Sequence, residues 1–178
     1  MNKALDIVKE WNSRQFVDKI VKVNVPEVWT FLANSGGGRD GTKVLQEPYI
    51  DNYTKFNSNS GWADDSTPWP RVMQALSHFS YQVSGGSFCF VICREECTTD
   101  PVILSRNKRF GVTDLGAQGI SSFFHNHVCN EFCKSDWAMP VDRNRYFHPQ
   151  EGTSMVGTGA NRHVPTRSSR AQMTNIYE

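Results

Sequence analysis

The 178-residue chain contains no long unbroken apolar run, which excludes a helical membrane span, a structure that needs about 20 consecutive apolar residues. Its first ten residues, Met1 to Glu10, alternate charged with apolar side chains and so lack the apolar centre of a secretory signal. An excess of one charge is missing too: 19 Lys and Arg face 18 Asp and Glu, for a formal net charge of +1. Without a basic surplus there is no general electrostatic attraction to nucleic acid or to an anionic membrane surface. Neither partner is expected. Cysteine is sparse and odd in number, five residues in all. In a chain without a secretory signal, that points to reduced thiols serving as ligands or core groups, and to a cytoplasmic, intracellular protein. The length allows one domain with a real core, or two thin lobes sharing a cleft.

Periodicity predicts the elements. Leu5, Val8 and Trp11 fall near helical spacing and predict a short amphipathic helix over 3–13. Val21, Val23 and Val25 alternate with Lys22 and Asn24, a half-buried strand that Pro26 closes. Residues 34–41 carry too much glycine to pack and read as a mobile loop. A short strand from Val44 to Ile50 follows, interrupted at Pro48. Asp64 to Pro68 would cap a helix that starts near Trp69, with Val72, Leu76 and Phe79 as its stripe and Gly85-Gly86 as its end. Phe88 to Ile92 reads as a buried strand. Ile120, Phe123, Phe124 and His127 recur at offsets of three, four and seven, which predicts another helix with His127 on its buried side. From about Gly152 the chain is dominated by Ser, Thr, Gly, Arg and Asn, and residues 151–178 are expected to form a disordered tail.

The chemistry concentrates in His127-Val128-Cys129-Asn130-Glu131-Phe132-Cys133. One imidazole and two thiols within seven residues are three ligands of the kind that Zn²⁺ takes in tetrahedral sites, and a closed four-ligand site is structural rather than catalytic. Spacing alone leaves the fourth ligand open, and equally allows a hydrogen-bonded core histidine with thiols packed as small hydrophobes. Cys89, Cys93 and Cys97 recur every fourth position, but on a strand that spacing does not form one compact ligand cluster.

Several blocks then occur in order: Glu47-Pro48-Tyr49-Ile50 with Lys55-Phe56-Asn57-Ser58-Asn59; Gln74 to Tyr81 around Ser77-His78-Phe79; Thr99-Asp100-Pro101; Phe110 to Gly116; and Phe123-Phe124 with the His127–Cys133 module. Together, over roughly residues 1 to 135, they resemble the α-kinase family of atypical serine/threonine protein kinases. The resemblance implies an α+β, two-lobed, protein-kinase-like fold over 1–150, with a partial N-lobe about 1–55 and a zinc-stabilised C-lobe about 56–150. It implies a structural zinc ion held by His78, His127, Cys129 and Cys133, and ATP with Mg²⁺ as cofactor. Glu47 and the backbone of Tyr49 would meet the adenine, Lys55 and Asn59 would reach into the cleft, and Asp100 would be the catalytic-site Mg²⁺ ligand. The expected activity is transfer of the γ-phosphoryl group to a protein Ser or Thr.

The departures from the pattern matter as much. Where the family carries an Asp-Leu-Gln-Gly element, this chain reads Val91-Ile92-Cys93-Arg94-Glu95-Glu96-Cys97. A carboxylate supplied instead by Glu95 or Glu96 would be displaced, and an ångström of misplacement can lower a rate about a hundredfold. No lysine strand precedes the first helix, so the upper lobe is expected to be incomplete. Thr113 stands where relatives carry the middle glycine of the Gly111–Gly116 loop, which is expected to be a structural or substrate-side turn. Two readings follow: a kinase domain of impaired activity, or a zinc-stapled pseudokinase that binds nucleotide or a protein.

Overall fold

In the computed structural model, which describes residues 2–32, 40–49, 54–91, 97–98 and 101–149, every residue from Val72 to Tyr81 is buried. That run lies in α2 (Pro68–Val83), a helix enclosed on all sides and therefore buried around its whole circumference rather than along one stripe. Pro68 opens it, at a position where the missing N–H would have had no intrahelical partner. Thr67, within the segment expected to cap the helix, is the N-cap but makes no side-chain capping bond; Asp64 accepts from the backbone N–H of Ser66 at 2.9 Å. At the far end Gly85 and Gly86 adopt φ of 59° and 77°, and the Gly86 N–H donates to Tyr81 at 2.9 Å. Left-handed backbone of this kind is the ordinary reason for glycine after a helix.

One side of α2 receives α1 (Asn2–Ser13), which buries Ala4, Ile7, Val8 and Trp11 at helical spacing. The Trp11 ring meets Phe16 and Phe79 edge-on at 4.9 and 5.4 Å. Asn12 closes the following loop by accepting from the Val21 N–H at 3.0 Å and donating to the Val21 carbonyl at 2.8 Å. The strand expected over 21–25 narrows to β1 (Lys22–Val23), because buried Asn24 turns its amide to Pro48. After Pro26 comes an unexpected strand, β2 (Glu27–Thr30), paired antiparallel with β3 (Lys43–Gln46) in the register Val28↔Leu45 and Trp29↔Val44. β3 ends two residues before Pro48, short of the span expected to Ile50.

The other side of α2 packs on β4 (Phe88–Val91). β5 (Cys97–Thr98) pairs parallel with β1, and β6 (Val102–Ser105) pairs antiparallel with β4. α3 (Gly116–Asn126) lies on β6. The architecture is thus mixed helix and strand, and its two apolar groups meet at α2. One gathers Trp11, Met73, Leu76, Phe79 and Phe90; the other gathers Tyr81, Leu104, Leu115, Phe123 and Phe124. Among the described residues no helix is long and apolar enough to cross a membrane. Residues 34–39 of the glycine-rich segment expected to be mobile (34–41), and the tail 151–178, lie outside the described residues.

Candidate metal centre

His78 stands in the middle of α2, fully buried, with its ring edge-on to Phe124 at 5.1 Å and to Trp137 at 5.4 Å. His127 does not continue α3 as its spacing implied: the helix ends at Asn126 and His127 is the C-cap, in extended backbone (φ −71°, ψ 121°). That turn lays its ring on Phe123, nearly parallel at 5.2 Å, and brings it to His78 at 4.9 Å between centroids. Beyond it a tight turn, closed by the Cys133 N–H donating to Asn130 at 3.0 Å, returns Cys133 toward Cys129. Asn130 fastens the turn to α2 by donating to the Arg71 carbonyl at 2.9 Å, while Arg71 pairs with Glu131 at 3.0 Å.

The four donor atoms lie within 4.8 Å of one another. His78 Nδ1 and His127 Nε2 are 3.2 Å apart; Cys129 Sγ lies 3.6 Å from the first and 3.8 Å from the second; Cys133 Sγ lies 3.7 Å from His127 Nε2. Bond lengths of about 2.05 Å to nitrogen and 2.3 Å to sulfur in a tetrahedron give edges of about 3.3 Å for N–N and about 3.6 Å for N–S. These four separations match the edges of a four-coordinate metal site, and the whole quartet, within 4.8 Å, is compact enough to close on one ion. The two imidazoles and the thiol differ in how ready they are to ligate. Burial lowers the pKa of His78; burial, reinforced by His78, lowers that of His127 to about 3, so both imidazoles stay neutral as ligation requires. Burial, chiefly, raises the Cys133 thiol to about 11; a dication is what would make it a thiolate.

The residues expected to hold nucleotide lie elsewhere. Glu47, just past β3, is half-buried, with Asn24 Nδ2 at 3.5 Å from its carboxylate. Tyr49 is 89% exposed. Lys55 is half-buried, and burial lowers its pKa. Asn59 is fully buried and donates to the Thr113 carbonyl at 2.8 Å, tying its loop to the Gly111–Gly116 turn. Asp100, Cys93, Glu95 and Glu96 lie outside the described residues.

A buried carboxylate that the sequence reading passed over organises that turn. Asp114 accepts from the Ser105 N–H at 2.8 Å, the Ser105 hydroxyl at 2.6 Å, the Gly116 N–H at 2.9 Å and the Phe110 N–H at 3.2 Å. With Gly111 and Gly116 at φ of 94° and 74°, the loop is a structural turn seated on β6. Its signal was present in the chain, an aspartate between glycines just before an apolar helix.

The model of the alpha-kinase family matches residues 1–133, a stretch that ends on Cys133, the last member of the quartet. The chain belongs to the alpha-kinase family. Alpha-protein kinase vwkA of Dictyostelium discoideum is 39% identical over 89 residues, covering 46% of this chain and 14% of that protein. Eukaryotic elongation factor 2 kinase of Mus musculus is 38% identical over 104 residues, covering 54% of this chain and 14% of that protein. Among solved structures, the alpha-kinase domain of myosin heavy chain kinase A in complex with AMP superimposes with a TM-score of 0.61 at 28% identity, covering 72% of this chain and 52% of that one. Its inactive form in complex with ATP gives 0.62 at 26%, covering 72% and 51%. This alpha-kinase chain therefore spans about half of the solved domains that it matches and a small part of the full-length relatives.

Proposed function

We propose that the chain is an alpha-kinase-type protein serine/threonine kinase domain that binds MgATP and is built around a structural zinc ion held by His78, His127, Cys129 and Cys133. The observation that supports it best is the coincidence of the family match over residues 1–133 with a compact His₂Cys₂ donor quartet inside it. Two nitrogens and two sulfurs suit zinc rather than magnesium or calcium, which take oxygen ligands. Bound there, the ion supplies a cross-link between α2 and the segment after α3, with no open position for chemistry.

Phosphoryl transfer needs positioning and charge stabilisation more than covalent participation. In this reading Glu47 and the Tyr49 backbone receive the adenine, Lys55 presents its ammonium to the phosphates, and Asp100 takes Mg²⁺ through a hard oxygen ligand. Asn59 fixes the segment that carries Lys55 against the Gly111–Gly116 turn. The division at about residue 55 into a smaller N-lobe and a C-lobe reaching 150 belongs to the same reading.

A specific observation favours a second version, a zinc-stapled module that holds nucleotide or a protein but transfers phosphate weakly. β4 ends at Val91, which is buried and apolar. Val91 opens the stretch to Cys97 where the family's Asp-Leu-Gln-Gly element is expected, and no aspartate stands in that stretch. Purified chain incubated with labelled ATP, Mg²⁺ and a Ser/Thr protein substrate should bind ATP and show transfer much weaker than a complete alpha-kinase domain. Robust autophosphorylation abolished by Asp100→Ala would overturn the impaired version; absence of both ATP binding and transfer would sink the nucleotide reading altogether.

A further inference from the structure

His78 and Gln82 stand one turn apart on α2, and both reach the same residue of a distant segment. The Ala138 N–H donates to Gln82 Oε1 at 2.6 Å, and the Ala138 carbonyl lies 3.0 Å from His78 Nε2. A carbonyl can only accept, so this contact makes Nε2 the protonated nitrogen of His78 and leaves the lone pair on Nδ1. Nδ1 is the atom that faces His127 Nε2 at 3.2 Å and Cys129 Sγ at 3.6 Å. The tautomer needed for metal ligation is thus set by the position of one peptide carbonyl, and Gln82 holds the N–H of the same residue.

The segment that carries Ala138 continues as a belt across α3. Ser121 Oγ donates to the Asn144 carbonyl at 2.9 Å, and Ser122 Oγ accepts from the N–H groups of Tyr146 and Phe147 at 2.9 and 3.2 Å. The His125 ring lies 3.0 Å from the Arg143 carbonyl. Residues 137–147 therefore connect the helix that bears His78 with the helix that His127 caps. Among the described residues, the polar contact between this belt and the quartet is made at Ala138.

We infer that Gln82 is a positioning residue for the metal centre: by fixing Ala138 it orients the His78 ring and its tautomer, and so sets the affinity for zinc. The inference rests on the zinc reading above and adds to it a residue outside the ligand set. Groups that orient ligating histidines change metal affinity by about 10–100-fold when removed. Because Gln82 is half-buried near the helix end and alanine is a strong helix former, truncation there should leave the fold intact.

The test uses the full chain as wild type, Gln82→Ala, Gln82→Leu and Gln82→Glu, with zinc ion titrated against a chromogenic chelator and the His78 tautomer followed by ¹⁵N NMR. Gln82→Ala and Gln82→Leu should weaken zinc about 10–100-fold and speed exchange of the His78 Nε2 proton. Gln82→Glu, which still offers an acceptor to the Ala138 N–H, should stay near wild type in both. Leucine at 82 keeps the side-chain bulk, so a purely structural loss in the alanine variant is separable. Wild-type affinity in the alanine and leucine variants, or an equal loss in Gln82→Glu, would overturn the inference while leaving the zinc site standing. A wild-type chain that takes up no zinc would overturn the metal reading, and this inference with it.

Discussion

Asp114 and His78 are both buried polar side chains, at 1% and 0% exposure, yet their surroundings assign them opposite kinds of work. Asp114 faces only donors, four of them, three on the backbone. His78 donates through one nitrogen and turns the other toward a second imidazole and a thiol. The first arrangement is complete within the protein; the second, in the reading proposed above, would be completed by a cation. Replacing Asp114 by alanine strands the buried N–H groups of Ser105 and Gly116, and each unsatisfied donor is expected to cost about 1–3 kcal/mol. Urea unfolding of Asp114→Ala should therefore show a loss of about 3–5 kcal/mol. Asp114→Asn, whose remaining carbonyl oxygen can still serve Ser105 and Gly116, should lose less than half of that. An alanine variant within about 1 kcal/mol of wild type would show that water or rearrangement satisfies the turn.

At the scale of elements the decisive contact is between α3 and β6, where Gly119 lies against Leu104. A Cβ added at Gly119 would come within 2.8 Å of Leu115 Cβ and 2.9 Å of Leu104 Cδ2. Helix propensity alone favours alanine there by about 1 kcal/mol, but crowding a packed core costs about 1–3 kcal/mol. Because Leu104 is wholly buried in the second apolar group, the packing effect should win. Thermal unfolding of Gly119→Ala should therefore give a lower Tm than wild type, and a raised Tm would show that α3 can slide on the sheet. The same pair of elements shows what the chain makes legible. α1, α2 and α3 each announce themselves by apolar spacing of three and four, and α2 also by Pro68 and the Gly85-Gly86 pair. β6 is buried at all four positions and β2 exposed at all four, so neither shows the alternation that marks a strand with one wet face. Three members of the quartet were readable because they fall within seven residues, and the fourth, His78, came only with the family resemblance; that His127 sits past the helix end, and that Gln82 and Ala138 steady His78, depends on contacts spanning up to 60 residues.

For the whole molecule, the quartet joins parts of the chain that lie far apart: α2, the end of α3 and the turn that follows it. Both apolar groups meet at α2, and Trp137, which packs in the first of them, also touches His78. A metal ion here would therefore brace the core itself rather than a peripheral loop. Structural zinc in small domains binds with an apparent free energy of about 10–16 kcal/mol, as large as the about 5–15 kcal/mol that holds an ordinary domain together. Its removal is expected to abolish the native state rather than loosen it. Elemental analysis of the purified chain should find about one zinc per molecule, and excess chelator should erase the cooperative thermal transition, with zinc restoring it. Cys133→Ala, which keeps two imidazoles and one thiol, should bind zinc more weakly and unfold at chelator concentrations that wild type survives. Identical transitions with and without chelator would mean that the four side chains pack as an apolar and hydrogen-bonded cluster, and the apolar groups on either side of α2 would then have to hold the fold by themselves.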